Sequence, residues 1–391
     1  MRVLVVHNRY RVQGGEERAV ELQVAALRRA GVPHALLERD SAEVSRGAAA
    51  RALWRGGRDE TDVGAAVREL EADVVHVHNM LPLFGPRALA AGRKAGARVV
   101  LELHNVRLFC AIGVAARDGG PCFRCHHRRT LPGLMLNCRG SLPEAAVYAA
   151  SLARHQPAVI EAVDRFLVPS RSAAGQVASL GLPADRVEVL PHFLPEEAFA
   201  QHSVADEGRY ALVAARLSVE KGIDTAIEAA STSGVPLRVA GEGPAAAELH
   251  QQATRLGAPV EFLGRLDRAE LQRELAGAAM LLMPSRYHEF AGYAALEAMA
   301  AGVPVVVSTL GAPPELAGHE HSVAPNDPRD LAERMTALWG DPDRRGREGD
   351  ALLARASDRY GESRYVRALL SLYERLAEPI EHSSRWRFTG G

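Results

Sequence analysis

The chain has 391 residues, more than one core of ordinary size holds, and the length prior is two domains. Apolar residues make up 47% and charged residues 24%, which excludes a disordered or fibrous chain. With 47 basic against 48 acidic residues the formal net charge is −1 and the signs are interleaved, which argues against a nucleic-acid binder. The small basic run His126-His127-Arg128-Arg129 fits a solvated loop or the cover of an anionic ligand better than a nucleic-acid footprint.

In chain order, Met1-Arg2-Val3-Leu4-Val5-Val6-His7 runs straight into an apolar segment without a charged leader or small-residue cleavage site, so it predicts a strand and no signal peptide. The longest apolar runs fall far below the ~20 residues a bilayer span needs. The expectation is a soluble, cytoplasmic protein, in which lasting disulfides are uncommon. Short β-branched runs then alternate with longer segments of helical period. Strands are predicted at 2–7, 34–38, 73–78, 98–103, 165–169 and 187–191, with helices at 15–30, 61–71, 86–95, 143–162 and 171–180. Val74-Val75 and Val99-Val100-Leu101 are wholly apolar, as parallel strands buried on both faces are. The polar stretch 195–209 breaks the pattern and reads as a linker. Alternation restarts with strands near 210–215, 236–240, 260–263, 279–284 and 303–307 and helices at 222–232, 244–256, 267–276 and 292–301. From about 328 to 377 the chain reads as helical.

This order predicts an α/β protein of two Rossmann-like, doubly wound parallel-sheet domains facing a cleft. Residues 1–200 form the first domain, with a Cys-rich insertion over 106–142, and 201–372 the second. A tail covers 373–391, and a return to the first domain is one expectation for it.

The strongest chemical signal is Ser285-Arg286-Tyr287-His288-Glu289-Phe290-Ala291-Gly292, followed by a helix that carries Glu297 and ends at Gly302-Val303-Pro304. Free N–H groups at a helix start, with a glycine allowing close approach, suit a diphosphate. A carboxylate beside them suits ribose or sugar hydroxyls. A second signal is Arg216-x4-Lys221-Gly222 after the first strand of the second domain: a fork and a point charge that together suit a phosphate clamp. Gly241-Glu242-Gly243-Pro244 is either a plain turn or a ligand contact. Gly14-Gly15-Glu16 opens the first helix and is not Gly-x-Gly-x-x-Gly, which weakens a dinucleotide oxidoreductase reading.

These motifs resemble the retaining glycosyltransferases of family 4, which have the GT-B fold and two glutamates with seven residues between them before a Glu-Ala-Met-Ala-x-Gly-x-Pro-Val segment. The resemblance runs from the Gly-Gly loop to about residue 325. It implies that Glu289, with the N–H groups of Ala291 and Gly292, holds the transferred sugar, and that Glu297 binds the donor ribose. It also implies that Arg216 and Lys221 bind the donor diphosphate, and that Gly14 and Gly15 lie over the phosphates and acceptor. Gly243 and Arg265 fall in the donor-binding turns. His104, at the end of a buried strand, is placed beside the reacting sugar; His76 and His78 match the same pattern, with His78 nearer the cleft. Phe290-Ala291-Gly292 departs from the usual Pro-Phe-Gly. The implied reaction moves a hexosyl group from a UDP- or GDP-sugar to a sugar, lipid-linked or small-molecule hydroxyl, with retention. The donor diphosphate is expected to be neutralised by Arg216 and Lys221, so no catalytic metal is expected. A sugar-nucleotide epimerase of the same fold and a non-catalytic nucleotide-sugar binder are the alternatives.

All four cysteines fall in one window, Cys110-x11-Cys122-x2-Cys125-x12-Cys138. This is four-sulfur zinc spacing of a structural kind, with free thiols or a redox-labile pair as the other readings.

Overall fold

The computed structural model describes residues 1–11, 14–59 and 61–377. The first half forms β1 (Val3–Arg9), β2 (His34–Asp40), β3 (Val74–Val77), β4 (Arg98–Glu102), the short pair β5 (Ala116–Arg117) and β6 (Gly120–Pro121), then β7 (Arg165–Val168) and β8 (Val187–Val189). The second half forms β9 (Ala211–Ala214), β10 (Leu237–Ala240), β11 (Val260–Gly264), β12 (Met280–Met283), β13 (Val305–Ser308) and β14 (Ser322–Val323). Two six-stranded sheets result, ordered β2-β1-β3-β4-β7-β8 and β11-β10-β9-β12-β13-β14. Every pairing within them is parallel. This is the predicted pair of doubly wound domains.

Alternation along the strands decides which side chain goes where. Val3, Val5, Val74 and Val100 enter one core, and Leu4, Val6, Val75, Val77, Val99 and Leu101 the other, because successive residues point to opposite faces. The core holding Val3 and Val74 is shared with the last described helix, Glu362–Ala377, through Leu369, Leu372 and Tyr373. That helix returns to the first sheet: Tyr373 OH lies 2.6 Å from His76 Nδ1, and Arg29 holds Glu362 with two guanidinium nitrogens, Nε at 2.6 Å. The part of the expected tail beyond 377 lies outside the described residues.

The segment read as a linker behaves differently. Ala200 N–H donates to Ala300 O (2.8 Å) and Ser203 Oγ to Gly302 O (2.6 Å), so 195–209 is fastened to the second domain. Its composition is polar because it forms short 3-10 turns on a surface, not because it is free. Across the join, Leu194 N–H donates to Tyr360 O at 2.9 Å. Glu315 of the second half accepts from Arg171 N–H (3.0 Å) and Ser172 N–H (2.5 Å), at the start of the helix Arg171–Leu180, where orphan donors and the helix dipole favour a carboxylate.

Leu372 is 2% exposed. Leu372→Ala is expected to lower the urea unfolding free energy by about 2–5 kcal/mol, the cost of a core cavity. Arg375→Ala, which removes an exposed pair with Glu188, is expected to cost under about 1 kcal/mol in the same measurement.

Candidate active site

Each sheet reverses its winding once, between β1 and β3 in the first and between β9 and β12 in the second. In such sheets a ligand binds beyond the carboxyl ends of the strands at that reversal. The loops leaving these four strands hold Gly14 and Gly15, His78, Arg216 and Lys221, and Glu289 with Gly292. A cleft of about 390 Å³ opens there, lined by Gly14, Gly15 and His104 on one side and Lys221, Glu289 and Gly292 on the other.

On the second-domain side, the loops after β9 and β12 touch. A Cβ on Gly222 (φ 67°) would stand 2.1 Å from Pro284 O, so only glycine permits the approach. That contact brings Lys221 Nζ to 2.7 Å from Glu289 Oε1. Ser285 Oγ donates to the same oxygen (2.6 Å) and Tyr287 OH to Oε2 (2.5 Å). Glu289 is 7% exposed, so its charge is solvated by these three donors rather than by water. Burial pulls the Lys221 ammonium down, but Glu289 outweighs it and leaves the group above its ordinary value, firmly cationic. The sequence placed Lys221 on a phosphate and Glu289 on a sugar; without ligand they neutralise each other.

Gly292 (φ 149°) caps the helix Tyr293–Ala300 without a side-chain partner, leaving the first N–H groups at the cleft with Ala291. Glu297, within this helix, accepts no hydrogen bond from the described residues. Burial pushes its carboxyl up to about 7, with Arg268 opposing. Three expected donor residues stand apart from the cleft lining. Arg216 is exposed and paired with Glu220. Arg265 is exposed in the loop after β11. Gly243 has a packing reason: a Cβ there would meet Leu217 O at 2.2 Å.

On the first-domain side, the organising group is one that sequence reasoning missed. Glu102, 2% exposed at the end of β4, lies within 4 Å of four imidazoles: His76 Nε2 at 3.1 Å, His192 Nε2 at 3.6 Å, His104 Nε2 at 3.7 Å and His78 Nδ1 at 3.8 Å. Burial alone would raise its carboxyl; His78 and His104 lead the groups that outweigh this and hold it well below the usual carboxylate range. The rings stack in series, His76 on His78, His78 on His104, His104 on His192 and His192 on Tyr293. His78 Nδ1 is 3.0 Å from His104 Nε2, and His104 Nδ1 is 3.3 Å from His192 Nε2. Gln23 bridges His76 and His78 from the first helix. Burial brings His104 down to about 3, so it is neutral at physiological pH. His104 therefore lines the cleft as expected, but both its nitrogens are committed to neighbours. His76 and His78 belong to the same buried network. The one available signal was a charged residue, Glu102, following the apolar run Val99-Val100-Leu101 of β4.

Two consecutive glutamates follow Gly15. Glu17 folds the loop, accepting from Tyr10 N–H (3.0 Å) and Gly14 N–H (2.7 Å). Glu16 lines the cleft; its Oε2 accepts from Tyr10 OH (2.8 Å) and Asn105 Nδ2 (3.3 Å). Burial pushes its carboxyl up to about 8, with the Tyr10 hydrogen bond and Arg107 opposing.

Among the described residues, the side-chain groups whose ligand atoms converge within 4.8 Å are His76–His78–Glu102 and Glu102–His104–His192. Neither contains a cysteine. The four cysteines are half-buried free thiols. Burial, then the Cys110 thiol and to a lesser degree those of Cys138 and Cys122, pushes the Cys125 thiol up to about 11. No helix of the described residues is long and apolar enough to cross a membrane.

Two facing α/β domains with a cleft at their winding reversals define the GT-B class of fold. Residues 14–192 match the glycosyl transferase 4-like domain model, and 195–351 match the glycosyl transferases group 1 model. The chain belongs to this glycosyltransferase family. A GDP-mannose-dependent alpha-(1-6)-phosphatidylinositol dimannoside mannosyltransferase of Mycobacterium tuberculosis is 39% identical over 139 residues, 34% of this chain and 36% of that protein. A glycogen synthase of Mycobacterium tuberculosis is 37% identical over 141 residues, 34% of each chain. The matched stretch thus spans about a third of these relatives' length. Among solved structures, sucrose-phosphate synthase from Thermosynechococcus elongatus superposes with TM-score 0.72 at 18% identity, covering 96% of this chain and 99% of that one. HepE from Anabaena in complex with UDP gives 0.66 at 18%, covering 96% and 100%. At that identity the superpositions establish the fold.

The raised Glu16 carboxyl carries a stability consequence. Its value of about 8 stands above the ordinary 4.5, so the folded state keeps a proton that the unfolded chain releases. Stability is therefore lost as pH rises from about 4.5 through 8. Denaturant midpoints across pH 5–9 are expected to fall less steeply for Glu16→Gln than for the wild type. Equal slopes would contradict the assignment.

Proposed function

We propose that the chain is a retaining hexosyltransferase that moves a sugar from a nucleoside-diphosphate donor, UDP- or GDP-linked, to an acceptor hydroxyl. The observation that carries this reading is the Lys221–Glu289 pair at the foot of an uncapped helix start, with the unpaired Glu297 carboxylate in the same helix. A diphosphate arriving at the Gly292 helix start finds N–H donors and a fixed cation, while Glu289 and Glu297 accept from sugar and ribose hydroxyls. Arg216 supplies a second cation once it exchanges Glu220 for phosphate. Relatives support a nucleotide donor in their names: GDP-mannose for the mannosyltransferase and UDP for HepE.

Transfer is proposed as front-face substitution. The anomeric C–O bond to phosphate breaks with its electron pair going to the diphosphate. The acceptor oxygen bonds the same carbon from that face and passes its proton to the departing phosphate. Lys221 and the helix N–H groups sit where that negative charge develops, which is where stabilisation accelerates the step. These cations, rather than a metal ion, are proposed to neutralise the diphosphate. Neutral His104 forms the sugar-facing wall and is held there by Glu102 through the imidazole series. The proposed setting is the cytoplasm.

For the cysteines, a structural zinc is proposed on donor type and spacing. Four thiolates would complete a tetrahedron and order 106–142, leaving no open position for chemistry. In the structure no three of the sulfurs lie within 4.8 Å of one another, and no step is assigned to the metal. Metal analysis of the purified chain decides this: about one zinc per chain is expected, and none would leave free thiols.

Calorimetric titration of UDP, GDP and ADP in EDTA tests the donor site. Glu297→Ala is expected to cost about 1.5–3 kcal/mol, or roughly 10- to 150-fold in affinity for the nucleotide that binds. Because the Glu297 carboxyl titrates near 7, wild-type affinity is expected to rise with pH through that value, and Glu297→Gln to remove this component. A variant that binds as well as the wild type would withdraw the ribose assignment.

A further inference from the structure

We propose that Glu16 is the acceptor-binding carboxylate of the cleft, its Oε1 accepting a hydrogen bond from a hydroxyl of an uncharged sugar or polyol. This rests on the transferase reading above.

Four observations converge on Glu16. It stands on the first-domain wall of the cleft, opposite the donor groups: a Cβ on Gly15 would lie 3.6 Å from Tyr293 Cδ2, so the Gly14–Glu16 loop faces the donor helix start directly. Its two oxygens are unequally used. Oε2 is held by Tyr10 OH and Asn105 Nδ2, which fixes the side chain, while Oε1 accepts nothing from the described residues. Oε1 is not among the enclosed polar atoms that lack a partner, and Glu16 lines the cleft. Finally, the loop's backbone donors do not require this carboxylate. The adjacent Glu17 accepts from Tyr10 N–H and Gly14 N–H.

The electrostatics agree with a hydroxyl ligand. The charged or titratable groups facing Glu16 are Tyr10 from the end of β1, Glu17 on its own helix, Glu102 from the end of β4, and Arg107 from the loop beyond it. Arg107 is the single cation of that set, and its guanidinium carbon lies 4.5 Å over the Tyr10 ring, bracing the tyrosine that holds Oε2. A phosphate beside three carboxyl groups would be repelled, whereas a neutral hydroxyl donates to Oε1 without that penalty. Burial keeps the Glu16 carboxyl protonated to about 8, so the acceptor-only ionised form grows in as pH rises through that value.

The test uses the full chain, the nucleotide sugar that binds it, and the methyl glycosides of glucose, galactose and mannose with myo-inositol as acceptors. Wild-type kcat/KM for the acceptor is expected to rise with pH through about 8. Glu16→Ala should lower it by roughly 10- to 150-fold, chiefly through acceptor KM, the range for a lost charge-assisted hydrogen bond. The isosteric Glu16→Gln should flatten the limb near 8, which a loss of packing alone would not do. Nucleotide affinity, read by calorimetry, should stay within about twofold in both variants. An unchanged acceptor kcat/KM in Glu16→Ala, a persisting limb in Glu16→Gln, or failure of every uncharged acceptor in the wild type overturns the proposal. Failure of the wild type to bind any nucleotide overturns the transferase reading itself, a distinguishable outcome.

Discussion

The first domain depends on keeping one buried charge satisfied. Glu102 has almost no exposure, and an ionised carboxylate in that position must be solvated by the protein itself. The solution draws on distant parts of the chain: His76 from β3, His78 just after it, His104 beyond β4, His192 at the crossing between domains. Tyr373 of the last helix and Gln23 of the first complete the set by fixing His76 and His78. The imidazoles gathered around Glu102 thus also fasten the first helix and the last helix to one sheet, through Gln23 and Tyr373. A polar network of this kind stabilises only when it is fully connected, which makes each member sensitive to the others.

The second domain has a matching constraint. Glu289 is also buried, but it is satisfied by a single cation, Lys221, and by two hydroxyls. This arrangement is easier to exchange than an imidazole series, because an incoming diphosphate can take over the ammonium while sugar hydroxyls take over the carboxylate. One wall of the cleft thus rests on a buried imidazole network, and the other holds a charge pair that a ligand can separate. That division of labour fits a reaction in which negative charge develops on the leaving diphosphate.

Much of this was legible in the sequence. The apolar runs and their spacing placed nearly every strand of both sheets, because buried parallel strands have little freedom in composition. The helix Tyr293–Ala300 and its opening glycine were visible for the same reason. What stayed hidden was pairing between distant positions. Nothing local marks that Lys221 meets Glu289 while Arg216 turns outward to Glu220. The contact arises because Gly222 lets two loops 60-odd residues apart touch, a consequence of β9 and β12 lying side by side. Glu102 gave a local hint as a charge in an apolar strand, yet its partners span most of the chain. Glu16 reads in sequence as part of a glycine loop, and its burial became visible only once Tyr10, Asn105 and Arg107 surrounded it.

The most direct test of the account is release of nucleoside diphosphate from UDP- and GDP-sugars by the wild type and by Lys221→Met, with folding of both checked by circular dichroism. The account predicts that the wild type turns over one donor, and that the variant folds but loses most of that turnover. Equal release by the two proteins, or nucleotide binding that ignores Lys221, would contradict the placement of the reacting diphosphate in this cleft.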